Sequence, residues 1–481
     1  MGDFGMDIDR DYRMLIGGEL VVGTQSMDVI NPALDEVFAS CPRATREDME
    51  AAICAAQDAF TTWRKTSVDE RRAALRQAAG ILAENADSLA SLFTKEQGRP
   101  TELAKQEILG ASYWFASTAD LELEVDITED TDVRRIEVHH APLGVVCGIV
   151  PWNFPVLLAS WKIAPALLTG NTLVLKPSPY TPLCALKIGE LLSDVFPAGV
   201  LNILSGGDEL GPWMTAHEGF AKISFTGSTA TGKRVMEAAS RDLKRITLEL
   251  GGNDAAIVLP DVNVDKVAER IFAGAFSNTA QICVATKRLY VHEDIYDALR
   301  DRLHEIAKSS PIGDGSDQGN LYGPVQNKAQ YERVLDLLES ARRDGLTLLE
   351  GASVPEKGYF IPLTIVDNPP EDSRVVVEEA FGPILPMMKF SSLDDVISRA
   401  NDTVYGLAGA VWSADIEKAK SVASELETGT VWINQNLEST PLTPLAGHKQ
   451  SGFGAENGIY GLREFTQPKA LYIPKSSDSV S

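Results

Sequence analysis

Apolar positions along this chain follow two periods. Across residues 46–63 and 69–93, alanine and leucine recur at helical spacing, which predicts a helix over each stretch, with Ser67 or Asp69 capping the second. From about residue 143 the texture changes. Short β-branched runs (GVVCGIV, NTLVLKPS, GVLNILS, KISFTGS) alternate with helical stretches such as CALKIGELLSDVF and TGKRVMEAASRD. This alternation implies right-handed crossovers and a parallel sheet. A second series starts near residue 250: DAAIVL, KRLYVH, ILPMMKF, GLAGAVWS and GTVWIN read as strands, with YERVLDLLESARRD and DVISRANDTVY as helices between them. The pattern predicts two α/β domains meeting near the ELGG segment at 249–252. Residues 121–142 and the REFTQPKALYIP segment at 463–474 fit neither series and read as strands that leave the globule. The KSSDSVS tail reads as disordered.

The chain has 481 residues, enough for two or three domains and a large core. Its formal charge of −24 argues against partners that present phosphate, such as nucleic acid or an anionic membrane. Five cysteines (Cys41, Cys54, Cys147, Cys184 and Cys283) without a CxxC pair point to reduced thiols and a cytoplasmic setting. The acidic N-terminus lacks the apolar core of a signal peptide, and no apolar run reaches the roughly 18 residues of a membrane span.

Four features carry candidate chemistry. GSTATGKR, from Gly227 to Arg234, follows an expected strand and opens an expected helix, where backbone N–H groups can meet a pyrophosphate. It departs from a P-loop at Arg234, where Ser or Thr would hold magnesium, and it is not GxGxxG. Cys283, in FSNTAQICVATKR, is a candidate nucleophile, although a lone cysteine among apolar residues is more often a small core residue. Glu249, at a strand end before Gly251 and Gly252, is a candidate base if it is desolvated; a solvent-facing loop Glu is the plainer reading. Asn153, bracketed by prolines in PWNFP, is a candidate oxyanion donor or a simple turn residue. His448 could be imagined as the partner of a Cys–His hydrolase, but no oxyanion loop or Asn/Asp partner can be placed beside it. Nothing suggests a metal.

In combination these segments are far more specific. PWNFP, LKPS, FTGST, LELGGN, QIC, EEAFGP and GHKQSGFG occur in that order over nearly the whole chain. The sequence resembles the NAD(P)-dependent aldehyde dehydrogenase superfamily. The resemblance implies an α/β fold: a Rossmann-like cofactor domain (1–120 and 143–249), an α/β catalytic domain (250–451), and a β-flap with the C-terminal tail (121–142 and 452–481) that makes dimers or tetramers. It implies Cys283 as nucleophile, Asn153 with the Cys283 N–H as oxyanion hole, Glu249 as base and Lys162 as a supporting lysine. It places Trp152, Lys176, Ser178, Pro179, Gly206, Phe225, Gly227, Ser228, Gly232, Leu250, Glu379 and Phe381 around NAD or NADP. Phe154, Trp161, Ile282, Val284, Ser439 and Leu445 would line the substrate pocket. The expected reaction is oxidation of an aldehyde to the acid through a thiohemiacetal and a thioester on Cys283, hydrolysed by water that Glu249 activates.

Three departures bear on that reading. The resembled family usually has Gly two residues before the Gln of its Cys loop, or close to it, where this loop reads Asn278-Thr279-Ala280-Gln281; Leu445 alters the late PFGG pattern, and Pro179 replaces the Glu that often binds the adenosine ribose. The last leads to the expectation that both NAD and NADP serve, with NAD modestly favoured. The pocket residues point to a medium-sized hydrophobic or aromatic aldehyde. A CoA-acylating semialdehyde dehydrogenase is the near alternative, disfavoured because such enzymes usually lack the Glu base. A catalytically silent structural homologue is the other.

Overall fold

A computed structural model describes residues 11–475; the expectations for the extreme N-terminus and for the tail beyond Lys475 lie outside the described residues. The helix expected at 46–63 is Arg46–Trp63, closed by a reciprocal capping box between Thr45 and Asp48. The stretch 69–93, expected as one helix, is two: Val68–Glu84 and Ala86–Gln97. Ser67 is the cap, through its own box with Glu70. The break falls at Asn85, whose side-chain amide donates to the Ile81 carbonyl and so competes with the next helical turn.

The first large sheet has eight strands. Its five central ones are parallel, in the spatial order Leu201–Ile203, Thr172–Lys176, Val145–Ile149, Lys222–Thr226, Arg245–Glu249. Numbered along the chain this is 3-2-1-4-5, so the strand order reverses between Val145–Ile149 and Lys222–Thr226, and a crevice opens beyond their carboxyl ends. The loops leaving those two strands carry PWNFP and GSTATGKR. Gly452–Phe453 pairs antiparallel with Arg245–Glu249 at one edge. The helix Pro155–Leu168 lies beneath the crevice, buried on nearly every side, with Pro155 at its first turn.

The second sheet has seven strands in the order Thr347–Glu350, Thr364–Asp367, Ile384–Phe390, Arg288–His292, Ala255–Val258, Ala408–Trp412, Thr430–Ile433. Every pairing is parallel except the first. Each large sheet is buried in its own apolar core. The two outlying segments form one antiparallel sheet: Thr466–Pro474 runs along Arg134–Pro142, which pairs with Asp126–Asp130. Between Phe453 and Thr466 the chain still packs on the first core, through Leu462 and Phe465. No helix among the described residues is long and apolar enough to cross a membrane.

Candidate active site

Strand Arg245–Glu249 ends at the seam between the two large sheets, and the chain crosses it through Leu250, Gly251 and Gly252. The glycines permit close approach. A Cβ on Gly251 would stand 2.4 Å from the Glu379 carboxylate, and one on Gly252 would stand 2.8 Å from the Cys283 carbonyl oxygen. The glycine pair therefore seats the Cys283 loop and the Glu379 loop against the end of the first sheet.

Three successive residues before the Cys loop, Asn278, Thr279 and Ala280, have left-handed backbone (φ 52°, 55° and 60°). A β-branched residue there is a real outlier, and each such residue costs about 1–3 kcal/mol. Surrounding bonds hold the conformation. The Gln281 side chain donates to Asn278 O at 3.0 Å, Thr279 Oγ1 to Gly323 O at 2.9 Å, and Asn278 Nδ2 to both Asn153 O and Gln281 O at 3.3 Å. Ala280 thus occupies a backbone region that suits glycine.

Asn153 is buried, and one of its amide hydrogens donates to Gln281 O at 2.9 Å, joining the PWNFP loop to the Cys loop. Its own carbonyl accepts from Arg99 Nη2. Arg99 is buried and pairs with Glu107 at 2.5 Å; Glu107 also accepts from Val156 N and Leu157 N at 3.0 Å. The guanidinium lies 4.4 Å from the Phe154 ring centre. This network gives the amide of Asn153 one direction, with its second N–H left for another acceptor.

Glu249 is 4% exposed, and neither carboxylate oxygen has a hydrogen-bond partner in the protein. Burial pushes its pKa well above the usual carboxylate range; the Glu456 carboxylate adds to the rise and Lys162 opposes it. The plainer reading of Glu249 as a solvent-facing residue is excluded. Lys162 is fully buried and donates to Glu456 Oε1 at 2.8 Å and Ser224 Oγ at 3.1 Å. Burial also drives the Cys283 thiol up to about 12, with Lys287 pulling it down and Glu249, Asp254 and Glu379 pushing it further up. Cys41 and Cys147 are raised to about 12 as well, so titration alone does not distinguish Cys283; its neighbours do.

A cavity of about 730 Å³ opens beyond the strand ends of the first sheet. Trp152, Lys176, Ser178, Pro179, Phe225, Gly227 and Ser228 line it, as expected from the sequence. Ser228 caps the helix Thr229–Ser240, whose N-terminus faces the cavity, and the buried Thr226 hydroxyl there has no protein partner. These are features that suit a pyrophosphate. Burial lowers Lys176 to about 8, opposed chiefly by Asp208. The remaining expected cofactor residues stand off the lining. Gly232 packs on Leu250, Gly206 abuts Leu210, Phe381 meets Trp152 edge-on at 5.3 Å, and Glu379 accepts from Gly252 N at 3.1 Å. Of the expected pocket residues, Trp161 and Ile282 are buried, Phe154, Val284 and Leu445 partly so, and Ser439 is exposed. Trp161 stacks on Trp114 at 5.8 Å.

Sequence reasoning missed Arg99, Glu107, Lys287, Glu456, Asp208 and Arg241, although Arg234 and Arg241 both line the cavity. Only Arg234 had been noticed, as the P-loop defect; the others have no local signature.

The profile of the aldehyde dehydrogenase family matches residues 21–471. A Pseudomonas protein described as "Probable aldehyde dehydrogenase" is 43% identical over 96% of this chain and 94% of its own. Aldehyde dehydrogenase LUC3 of a Fusarium species is 38% identical over 96% and 99%. The NAD+ complex of aldehyde dehydrogenase from Bacillus cereus superposes with a TM-score of 0.94 at 34% identity, covering 98% of each chain.

Replacing Arg99 by Met leaves the Glu107 carboxylate buried without its cation. The expected loss of stability is about 3–5 kcal/mol, the usual cost of breaking a buried pair. Chemical unfolding of the variant checks it, and a loss below 1 kcal/mol would show that the backbone N–H groups alone satisfy Glu107.

Proposed function

Since the chain belongs to the aldehyde dehydrogenase family and is an NAD-dependent oxidoreductase of aldehydes, we propose that it makes the carboxylic acid through a thioester on Cys283. The observation that carries this reading is the meeting at one buried seam of the Cys283 loop, the anchored Asn153 amide and a carboxylate, Glu249, without protein partners. The Cys283 thiol passes its proton to solvent water, and the thiolate bonds to the aldehyde carbon as the carbonyl π pair moves onto oxygen. The oxyanion that forms is met by the second amide N–H of Asn153 and the backbone N–H of Cys283. Each such donor is worth roughly a hundredfold or more in rate. Lys176, Ser178, Gly227 and Ser228 around the cavity would hold NAD, which when bound would supply the acceptor for the hydride of the same carbon and so leave a thioester on Cys283. Glu249, with its elevated proton affinity, takes a proton from water; the hydroxide adds to the thioester and the C–S bond breaks. Lys162 and Glu456 form the charged floor behind Glu249.

Two substitutions test the sequence of steps. Cys283→Ala should abolish NADH formation and leave NAD binding intact. Glu249→Gln should give one rapid turnover of NADH and then stall, with the acyl adduct on Cys283 visible by mass spectrometry. Steady turnover in either variant removes that residue from its role.

The substrate is proposed to be a medium-sized hydrophobic or aromatic aldehyde. Trp161, Phe154, Ile282 and Leu445 support this, and Arg99, the cation nearest Phe154, is already committed to Glu107, Gln97 and Asn153. Each buried methylene is worth about 0.8 kcal/mol, or about fourfold in kcat/KM. Hexanal and benzaldehyde should therefore outperform succinic semialdehyde; a strong preference for the last would overturn the assignment.

NADP is proposed as a second, poorer cofactor. Pro179 brings no carboxylate to the cavity, and Lys176 and Ser178 offer donors, but Asp208 lines the same wall and disfavours a 2′-phosphate. Asp208→Asn should lower the KM for NADP more than that for NAD, and Pro179→Glu should do the reverse. Rejection of NADP by a thousandfold or more in the wild type would defeat this.

We assign the three segments given above as cofactor domain, catalytic domain and flap. Exposed Val125, Ile127, Val133, Tyr472 and Ile473 on and beside the flap support a homodimer or homotetramer.

A further inference from the structure

Lys287 lies four residues after the nucleophile and is almost fully buried. Its ammonium donates to Ile282 O at 2.9 Å and to Cys283 O at 2.5 Å, and it stands 3.5 Å from Glu379 Oε1. The first of these contacts has a chemical consequence. Ile282 C=O and Cys283 N–H are the two ends of one planar peptide. A cation on the oxygen draws electron density across that peptide and makes its N–H a stronger donor, the cooperative effect seen in chains of hydrogen bonds. The second contact fixes the following peptide, so the backbone on both sides of the Cys283 side chain is held by one group. The third ties this clamp to a carboxylate that also accepts from Gly252 N. Glu379 is two residues before Phe381, whose ring meets Trp152 in the wall of the cofactor cavity.

We propose that Lys287 is a positioning residue for aldehyde oxidation: it orients and polarises the peptide bearing the Cys283 N–H and couples that peptide through Glu379 to the cofactor cavity. The assignment rests on the reading of that N–H as an oxyanion donor. Lys287 does not touch the reacting atoms; it acts through the backbone. It is also the one cation that favours the Cys283 thiolate, against Glu249, Asp254 and Glu379, which all disfavour it. Among these, Asp254 is buried, which raises its pKa to about 7 with Lys287 the chief opposing influence, and one of its carboxylate oxygens has no partner. The sequence shows Lys287 only as one of two basic residues that open the expected strand KRLYVH. Nothing local marks it as facing backwards into the loop.

Two variants separate positioning from mere structure. Lys287→Met removes charge and donors at similar length, and Lys287→Gln keeps one donor without the charge. Both are expected to bind NAD as the wild type does. In each, the first-turnover burst of NADH should slow by about 10- to 100-fold, less than or comparable to losing a whole oxyanion donor. Without cofactor or aldehyde, alkylation of Cys283 by iodoacetamide at about pH 8 should slow by about tenfold, because the attacking thiolate has lost its neighbouring cation. Gln should fall less than Met in the burst. Wild-type burst and alkylation rates in either folded variant overturn the proposal, as does a loss of rate that only parallels a loss of NAD binding in both. If Met does not fold, Gln decides by the same two measurements. Cys283→Ala, run alongside, keeps the two readings apart. NADH formation in that variant would defeat the thioester mechanism, whereas an inactive Cys283→Ala with a normal Lys287→Met would defeat this inference alone.

Discussion

Charge taken out of water must be answered by an opposite charge, by hydrogen bonds, or by its own neutralisation, because the unanswered cost is several kcal/mol per ion. The seam between the two large sheets is organised around that requirement. Arg99 pairs with Glu107, Lys162 with Glu456, and Lys287 with Glu379, each at or near full burial. Two of the pairs also hold a loop assigned to the proposed chemistry, and the third lies near its proposed base. Arg99 holds Asn153, Lys162 stands behind Glu249, and Lys287 holds the Cys283 backbone. Removing Arg99 or Lys287 would therefore release a loop as well as strand a charge.

The pairs can do this only because the topology brings the right strand ends together. In a sheet of order 3-2-1-4-5, the loops after the first and fourth strands diverge to opposite faces and leave a crevice. One loop supplies Asn153 and the other the capped helix N-terminus at Ser228. The fifth strand, at the edge of this set, ends in Glu249 and continues at once into the second sheet, which delivers Cys283 and Glu379. The glycine pair at 251 and 252 marks the crossing, where side chains would block the approach of both loops.

What was legible in the sequence follows from the range of each interaction. The alternation of β-branched runs and helical stretches is local, so the strands Val145–Ile149 through Arg245–Glu249, and Ala255–Val258, Arg288–His292, Ile384–Phe390, Ala408–Trp412 and Thr430–Ile433, stand where the pattern put them, whereas the edge strands Thr347–Glu350 and Thr364–Asp367 were not expected. The break at Asn85 was hidden because a single side-chain amide decides it. The helix Pro155–Leu168 was not recognisable as one: buried almost all round, it has no polar face to set a period. Cys283, Glu249 and Asn153 were ambiguous singly and gained meaning only as an ordered set of motifs. Their supporting partners carried no signal at all. Glu456 meets Lys162 across 294 residues, and Arg99 meets Asn153 across 54, so neither can be inferred before the fold is known.

The clearest division of labour in the site is between two buried glutamates. Glu107 receives a guanidinium and two backbone N–H groups, so its negative charge is compensated from three directions and it serves as a fixed anchor. Glu249 receives nothing from the protein on either oxygen, faces a second carboxylate, and stands near a lysine already committed to that carboxylate. An orphaned buried carboxylate in a folded protein calls for an explanation, since satisfying it would cost the fold little and leaving it unsatisfied costs about 1–3 kcal/mol or more. Its lone pairs are free for a group the protein does not supply, and its raised proton affinity suits it to hold a proton taken from that group. Burial raises both carboxyls above the usual range, but at Glu107 the Arg99 guanidinium and two backbone N–H groups oppose the rise and occupy its lone pairs, whereas those of Glu249 stay free, as its proposed role as base requires. Saturation by hydrogen bonds is thus what separates the anchoring carboxylate, Glu107, from the one proposed as base, Glu249.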